Sequence, residues 1–210
     1  MVMRVLVIDT CGEVGSLALG EGGAIAVSET LPARGASSAL LPAVRRLLQA
    51  KGWVLGDLDG IGVVSGPGSF TGVRVGLAAA KGLCEAAGLR LVGVSRLAVL
   101  AESAELTEGC AVLDAGRGEL YVRFIDSDEE PREVLCESAS LRGRGRVVVA
   151  EEKVKLALAE RRPELFEIGV EQALAPVLRR LREGEVNAGV VDANYVRSEG
   201  QIYGKTGTRP

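Results

Sequence analysis

The sequence predicts an α/β protein made of two related lobes, and three observations carry that prediction. A short apolar strand ending in aspartate, Val5-Leu-Val-Ile-Asp9, is followed by a glycine-containing turn and another strand. The same order recurs half a chain later at Cys110-Ala-Val-Leu-Asp114 with Gly116 and Gly118. Between Gly60 and Ser95 a strand, a loop, a helix and a strand follow one another, an order that requires a crossover and hence parallel pairing. With 210 residues, 47% of them hydrophobic and 25% charged, the chain can bury a core as one large domain or two small ones. Residues 1–105 are assigned to an N-terminal lobe, 106–200 to a smaller, degenerate second lobe and 201–210 to a flexible tail.

Each element has its own signal. A strand to Asp9, a turn at Cys11-Gly12, a strand Gly15 to Gly20 and, past the Gly22-Gly23 turn, a strand Ile25 to Leu31 make an antiparallel meander. Leu40, Leu41, Val44, Leu47 and Leu48 recur at helical spacing; Ser37 and Ser38 are cap candidates, Pro42 falls in a first turn and Gly52 stops the helix. Gly60 to Ser65 reads as a buried strand, Val73 to about Ala87 as a helix, and Arg90 to Ser95 as a strand leading into a short helix from Arg96. In the second half, strands follow at Glu119 to Asp126, around Glu133 to Glu137 and at Val147 to Ala150, with helices after Glu151 and near Gln172 to Arg182. From Gly200 the periodicity is lost, and the tail reads as loose or ordered only by a partner.

Composition narrows the chemistry. A net charge of -3 and a pI near 5.3 leave no global positive field, so strong phosphate-driven nucleic-acid binding by this chain alone is not expected and any RNA contact would have to be local or shared. The N-terminal apolar run has no cleavage site and no membrane-spanning length. Cys11, Cys84, Cys110 and Cys136 show no Cys-x-x-Cys spacing, which fits reduced thiols in a cytoplasmic protein. The chain contains no histidine, which removes histidine metal sites and the Ser-His and Cys-His nucleophile systems together. No metal site and no catalytic residue set is assigned, and a peptidase finds no residues to carry it.

Several stretches nevertheless admit a function beside a bland reading. Asp9 and Asp114 end the first strand of each lobe, where actin-like ATPases hold magnesium and phosphates; alternatively each carboxylate only caps its own turn. Thr10, Gly66, Gly68, Ser69 and Gly72 surround a helix N-terminus that could hold an anion. The bland reading is a type II turn with Pro67 and Gly68 at its centre and Ser69 or Thr71 capping the helix. The loop is neither a Walker loop nor a dinucleotide fingerprint. The helix after it is apolar nearly all round, so either the core covers it on most sides or a partner protein does. Arg142, Arg144 and Arg146 could touch phosphate or form a solvated turn.

Val7-Ile-Asp-Thr10, Arg34 with Ser37, Leu40-Leu-Pro42, Gly66-Pro-Gly-Ser-Phe-Thr-Gly-Val-Arg74, Ala80-Lys-Gly-Leu83, Val94-Ser95 and Leu113-Asp-Ala-Gly-Arg-Gly-Glu-Leu-Tyr121 together resemble the TsaB family, also called YeaZ. The resemblance spans most of residues 3 to 125, is weak beyond Asp126, and departs at Ala36-Ser37, where many relatives carry His-Ser. It implies an actin-like, ribonuclease H-like duplicated fold. It also implies a non-catalytic scaffold role in making threonylcarbamoyladenosine on tRNA, with tRNA met only through the complex. The implied partners are a TsaD-like catalytic subunit, a TsaE-like ATPase and, when these are lacking, a second copy of the chain; no membrane is involved.

The resemblance implies no cofactor of the chain's own, with ATP or ADP and magnesium confined to a shared complex interface. The candidate interface comprises Leu40, Leu41, Val44, Leu48, Val73, Gly76, Leu77 and Ala80, on helices Ala39 to Lys51 and Val73 to Ala87. On that reading Leu77→Arg or Ala80→Arg leaves the chain folded and abolishes pairing. The competing reading is an actin-like small-molecule kinase or ATPase using Asp9 and Asp114, which magnesium-ATP titration separates from the scaffold.

Overall fold

A computed structural model describes residues 2–137, 141, 145–184, 191–194 and 196. Among the described residues ten strands form two sheets of five. The first contains β1 (Arg4–Asp9), β2 (Ser16–Glu21), β3 (Ala24–Thr30), β4 (Gly60–Val64) and β5 (Arg90–Val94), in the order β3-β2-β1-β4-β5. The second contains β6 (Gly109–Gly116), β7 (Glu119–Asp126), β8 (Glu129–Glu137), β9 (Arg146–Val149) and the two-residue β10 (Glu164–Leu165), in the order β10-β9-β6-β7-β8. The central strands behave alike. β1 runs antiparallel to β2 and parallel to β4, and β6 runs antiparallel to β7 and parallel to β9. The expected duplicated α/β architecture is present.

The described residues also form five α-helices: α1 (Ala36–Lys51), α2 (Phe70–Ala87), α3 (Arg96–Ser103), α4 (Glu152–Ala157) and α5 (Val170–Glu183). Among the described residues no helix is long and apolar enough to cross a membrane. Ser69 caps α2, its Oγ accepting the Gly72 N–H at 3.2 Å, as the spacing predicts. At α1 the expectation fails: the helix starts at Ala36 behind Gly35, whose φ of 80° is open to glycine. Ser38 donates to the Gly35 carbonyl and caps nothing, and Pro42 stands in the second turn. Gly52 ends the helix, also at positive φ.

α5 lies flat on the first sheet because three strand positions have no Cβ. A Cβ on Gly20, Gly60 or Gly62 would come within 2.6, 2.7 and 2.4 Å of Leu174, Leu181 and Val177. The first lobe is therefore not contiguous in sequence, since a helix assigned to residues 106–200 completes the core of the first sheet. The exchange is reciprocal: α3, from the first half, packs Leu97, Leu100 and Ala101 against Ala111, Leu113 and Val148 of the second sheet. Arg179 on α5 grips both oxygens of Glu102 on α3 at 2.7 and 3.0 Å, tying the exchanged helices together.

This packing corrects the interface expectation. Leu40, Val44, Leu48, Val73, Gly76, Leu77 and Ala80 are buried in the first lobe's own core, and of the eight named residues only Leu41, 53% exposed, stands at the surface. The reason is geometric. α2 has the sheet beneath it and α1 beside it, so two sides of an almost wholly apolar helix are covered internally. What remains exposed on α2 is Phe70 and Thr71 at its head and, along its length, Arg74, Ala78, Gly82, Glu85 and Ala86.

Candidate functional site

The β1 terminus, the loop 66–72 and the start of α3 meet at one end of the first sheet. The Asp9 carboxylate is buried and accepts the Cys11 N–H at 2.8 Å, so it does cap its own turn. Burial raises its pKa, opposed by the charge of Arg96 and by the hydrogen bonds from Cys11. Thr10 donates its hydroxyl to the Gly72 carbonyl at 2.6 Å.

The loop is closed by the chain itself. The Ser69 N–H donates to the Cys11 carbonyl at 2.8 Å, the Gly72 N–H to Ser69 Oγ, and the Val73 N–H to the Ser69 carbonyl at 2.9 Å. A Cβ on Gly68 would stand 2.4 Å from the Cys11 carbonyl oxygen, and one on Gly72 only 1.9 Å from that of Thr10. These glycines admit the β1–β2 turn into the place an anion would take at the helix head. The expected type II turn is not formed, because the positive φ, 102°, belongs to Gly66 and not to Gly68.

Asp114 stands in the other lobe and does not reach this cluster directly. Its carboxylate pairs with Lys153 Nζ at 2.8 Å, and its N–H donates to Glu151 Oε2 at 3.3 Å. Glu151 in turn accepts from Arg96 Nη1 at 3.2 Å, and its own pKa is raised by burial against the pull of Arg96. Arg96 and Glu151 belong to the site although in sequence they mark only the starts of α3 and α4. The available signal was Arg96 alone at the head of the apolar run Leu97, Val99 and Leu100.

Two hollows flank the cluster. One, of about 310 Å³, lies between the lobes and is lined by Pro67, Phe70, Ala115, Arg117, Tyr121 and Asn194. The other, of about 240 Å³, lies beside the head of α2 between Thr10, Ser69 and Thr71, with Ala36 and Ser37 on its wall. Of the basic loop, Arg142 and Arg144 lie outside the described residues, as does the tail; Arg146 opens β9 and is held by Glu164 at 2.9 Å. Cys84 and Cys110 are buried, and burial pushes each thiol up to about 11, which suits packing and not nucleophilic work.

The raised carboxyl of Asp9 makes a signed prediction. A folded-state pKa above the unfolded value, near 3.8, means that the folded chain holds the proton longer, so this group's contribution falls as pH rises from that value through the folded pKa. Asp9→Asn removes the effect while keeping an acceptor for the Cys11 N–H. The difference in unfolding midpoint, variant minus wild type, is expected to grow by a few degrees between about pH 4 and about pH 7. Parallel pH profiles would contradict it.

Comparison with known proteins places the chain. The family model described as TsaD, tRNA N6-adenosine threonylcarbamoyltransferase, matches residues 29–143. The tRNA threonylcarbamoyladenosine biosynthesis protein TsaB of Escherichia coli K12 is 38% identical over 131 residues, 60% of this chain and 57% of that protein. The tRNA N6-adenosine threonylcarbamoyltransferase of Cereibacter sphaeroides ATCC 17025 is 40% identical over 115 residues, 48% of this chain and 32% of that one. The chain thus spans a little over half of that TsaB and about a third of the transferase.

Among solved structures, a Pseudomonas aeruginosa protein with similarity to peptidase YeaZ superposes with a TM-score of 0.78 at 26% identity, covering 93% of this chain and all of that one. A second P. aeruginosa structure, YeaZ itself, gives 0.75. With the paired sheets and the Gly-Pro-Gly-Ser-Phe-Thr-Gly loop, these matches establish that the chain belongs to the family of the tRNA N6-adenosine threonylcarbamoyltransferase TsaD and, within it, to the TsaB (YeaZ) group.

Proposed function

We propose that this chain is a non-catalytic, cytoplasmic subunit in the biosynthesis of threonylcarbamoyladenosine on tRNA. In this reading it pairs with a TsaD-type catalytic subunit through the outer surface of α1 and α2, and the pair recruits a TsaE-type ATPase. One observation carries the reading. At the helix head where an actin-like enzyme cradles phosphate, the Ser69, Gly72 and Val73 amides and the Thr10 hydroxyl are all engaged by the chain's own groups. A chain without histidine, closed in this way, suits support of a partner better than chemistry of its own.

The surface offered is the uncovered side of the two helices: Leu41 on α1, and Ala78 and Gly82 on α2. Small residues there let a second helix approach closely, and the same side can pair two copies of the chain when no partner is present.

The test uses Ala78→Arg, an exposed position one residue beyond the buried Leu77. The variant is expected to unfold at the wild-type midpoint, to bind a TsaD-type subunit roughly 30-fold or more weakly, and to lower tRNA modification by the reconstituted complex in proportion. Wild-type affinity in that variant would move the interface elsewhere. Modification by the purified chain alone would overturn the non-catalytic role.

A further inference from the structure

An actin-like fold implies a magnesium-bound nucleotide between its lobes, and the residues of this chain do not fit one. The residue that joins the two sides of the cleft is Arg96, the first residue of α3. Its N–H donates to the Gly66 carbonyl at 2.7 Å, which anchors its backbone on the first-lobe loop. The side chain, 13% exposed, places Nη1 3.2 Å from Glu151 Oε1 in the second lobe. A Cβ on Gly12 would lie 3.5 Å from its Nη2. The Arg96 charge is the largest influence opposing the effect of burial on Asp9. Its buried Nε has no acceptor among the described residues, so the guanidinium is held more by charge than by a full set of hydrogen bonds.

The connection continues on both sides. Glu151 accepts the Asp114 N–H, and Asp114 holds Lys153. One residue before Arg96, Ser95 donates to Glu133 of β8, which also accepts from Arg123 at 2.8 Å and from Asn194.

We propose that Arg96 is a built-in cation of the inter-lobe cleft: one guanidinium neutralises Asp9 of the first lobe and Glu151 of the second at once, and clamps the lobes without a divalent ion. Arginine suits this place because its charge is permanent and its forked donors can face two acceptors. A metal ion beside it would meet a like charge, and among the described residues no three metal-ligating side chains gather into a site. Without the guanidinium, the buried Asp9 and the half-buried Glu151 become carboxylates short of a counter-charge. The charged and titratable groups facing the cluster are Asp9, Cys11, Glu13, Arg96, Asp114, Glu151 and Lys153.

The experiment uses the full chain alone, so it is independent of the pairing proposed above. Unfolding midpoints are measured for the wild type, Arg96→Met and Arg96→Lys between about pH 5 and about pH 8, with and without millimolar magnesium. Arg96→Met is expected to lose several degrees more than the wild type as pH rises, because the two acids then ionise unpaired; Arg96→Lys restores most of the wild-type profile. The wild-type midpoint is expected not to respond to magnesium at this site.

Equal pH profiles for Arg96→Met and the wild type would overturn the proposal. So would a magnesium-dependent rise in the wild type that Asp9→Asn abolishes. If Arg96→Met does not fold at neutral pH, adding Asp9→Asn or Glu151→Gln is expected to recover a cooperative transition. Failure of both double variants to gain on Arg96→Met would equally refute it.

Discussion

Leu77→Arg is expected to abolish the folded state, and Ala80→Arg to do the same. Leu77 is 6% exposed and Ala80 0%, both on the side of α2 that lies over the first sheet. Replacing a buried leucine forfeits its packing, about 2–5 kcal/mol, and the arginine brings a charge with no partner waiting in that layer. The sum approaches or exceeds the roughly 5–15 kcal/mol that hold a domain together. Circular dichroism and thermal melts check this directly: neither variant is expected to show a cooperative transition near that of the wild type. A Leu77→Arg chain that melts normally would mean that the α2 face is turned outward. Ala78→Arg, one residue along and exposed, is the control and is expected to change stability by no more than about 0.5 kcal/mol. Loss of pairing in Leu77→Arg would therefore report loss of fold, and only the Ala78 variant reads the surface.

The second large effect is expected at Gly72. A methyl group there would sit 1.9 Å from the Thr10 carbonyl oxygen and 3.1 Å from its carbon, and backbone atoms have no rotamer by which to retreat. Gly72→Ala must push the head of α2 from the end of β1, breaking the Thr10 to Gly72 hydrogen bond and straining the Ser69 cap. Overpacking usually costs about 1–3 kcal/mol, and a clash with rigid backbone belongs at or above the upper end. Chemical denaturation is expected to show a loss of about 3 kcal/mol or more. Gly82→Ala is the counterpart on the same helix. Nothing lies within 4 Å of its added Cβ, so it is expected to gain about 0.5–1 kcal/mol from helix propensity. A Gly72→Ala variant as stable as Gly82→Ala would contradict the described packing of the β1 turn on the helix.

Much of the fold is legible along the chain because it rests on local pattern. The alternation in β7, the apolar runs of β1, β2 and β6 and the Ser69 cap are set by residues close in sequence. β10 is not legible in the sequence because two residues of strand carry no periodic signal. The start of α1 lies ahead of the serines because a left-handed glycine, and not a serine side chain, ends the preceding loop. The candidate site divides in the same way. Asp9, Thr10, Gly66, Gly68, Ser69 and Gly72 do come together, as their spacing around one strand end and one helix head implies. Asp114 remains across the cleft, and Arg96 and Glu151, separated by 55 positions, are brought together only by the folded lobes.

The sequence by itself determined the duplicated α/β plan, the absence of histidine chemistry and the loop that marks the family, since each is a matter of composition or short-range order. Tertiary structure alone decided which side of α2 is core and which is surface, because an all-round apolar helix has no phase for the sequence to declare. It also decided that α3 and α5 are exchanged between the sheets, and that Arg96 of the first half of the chain meets Glu151 of the second. Those outcomes depend on contacts between residues far apart in the chain, where the facing partner and not the local pattern sets the energy.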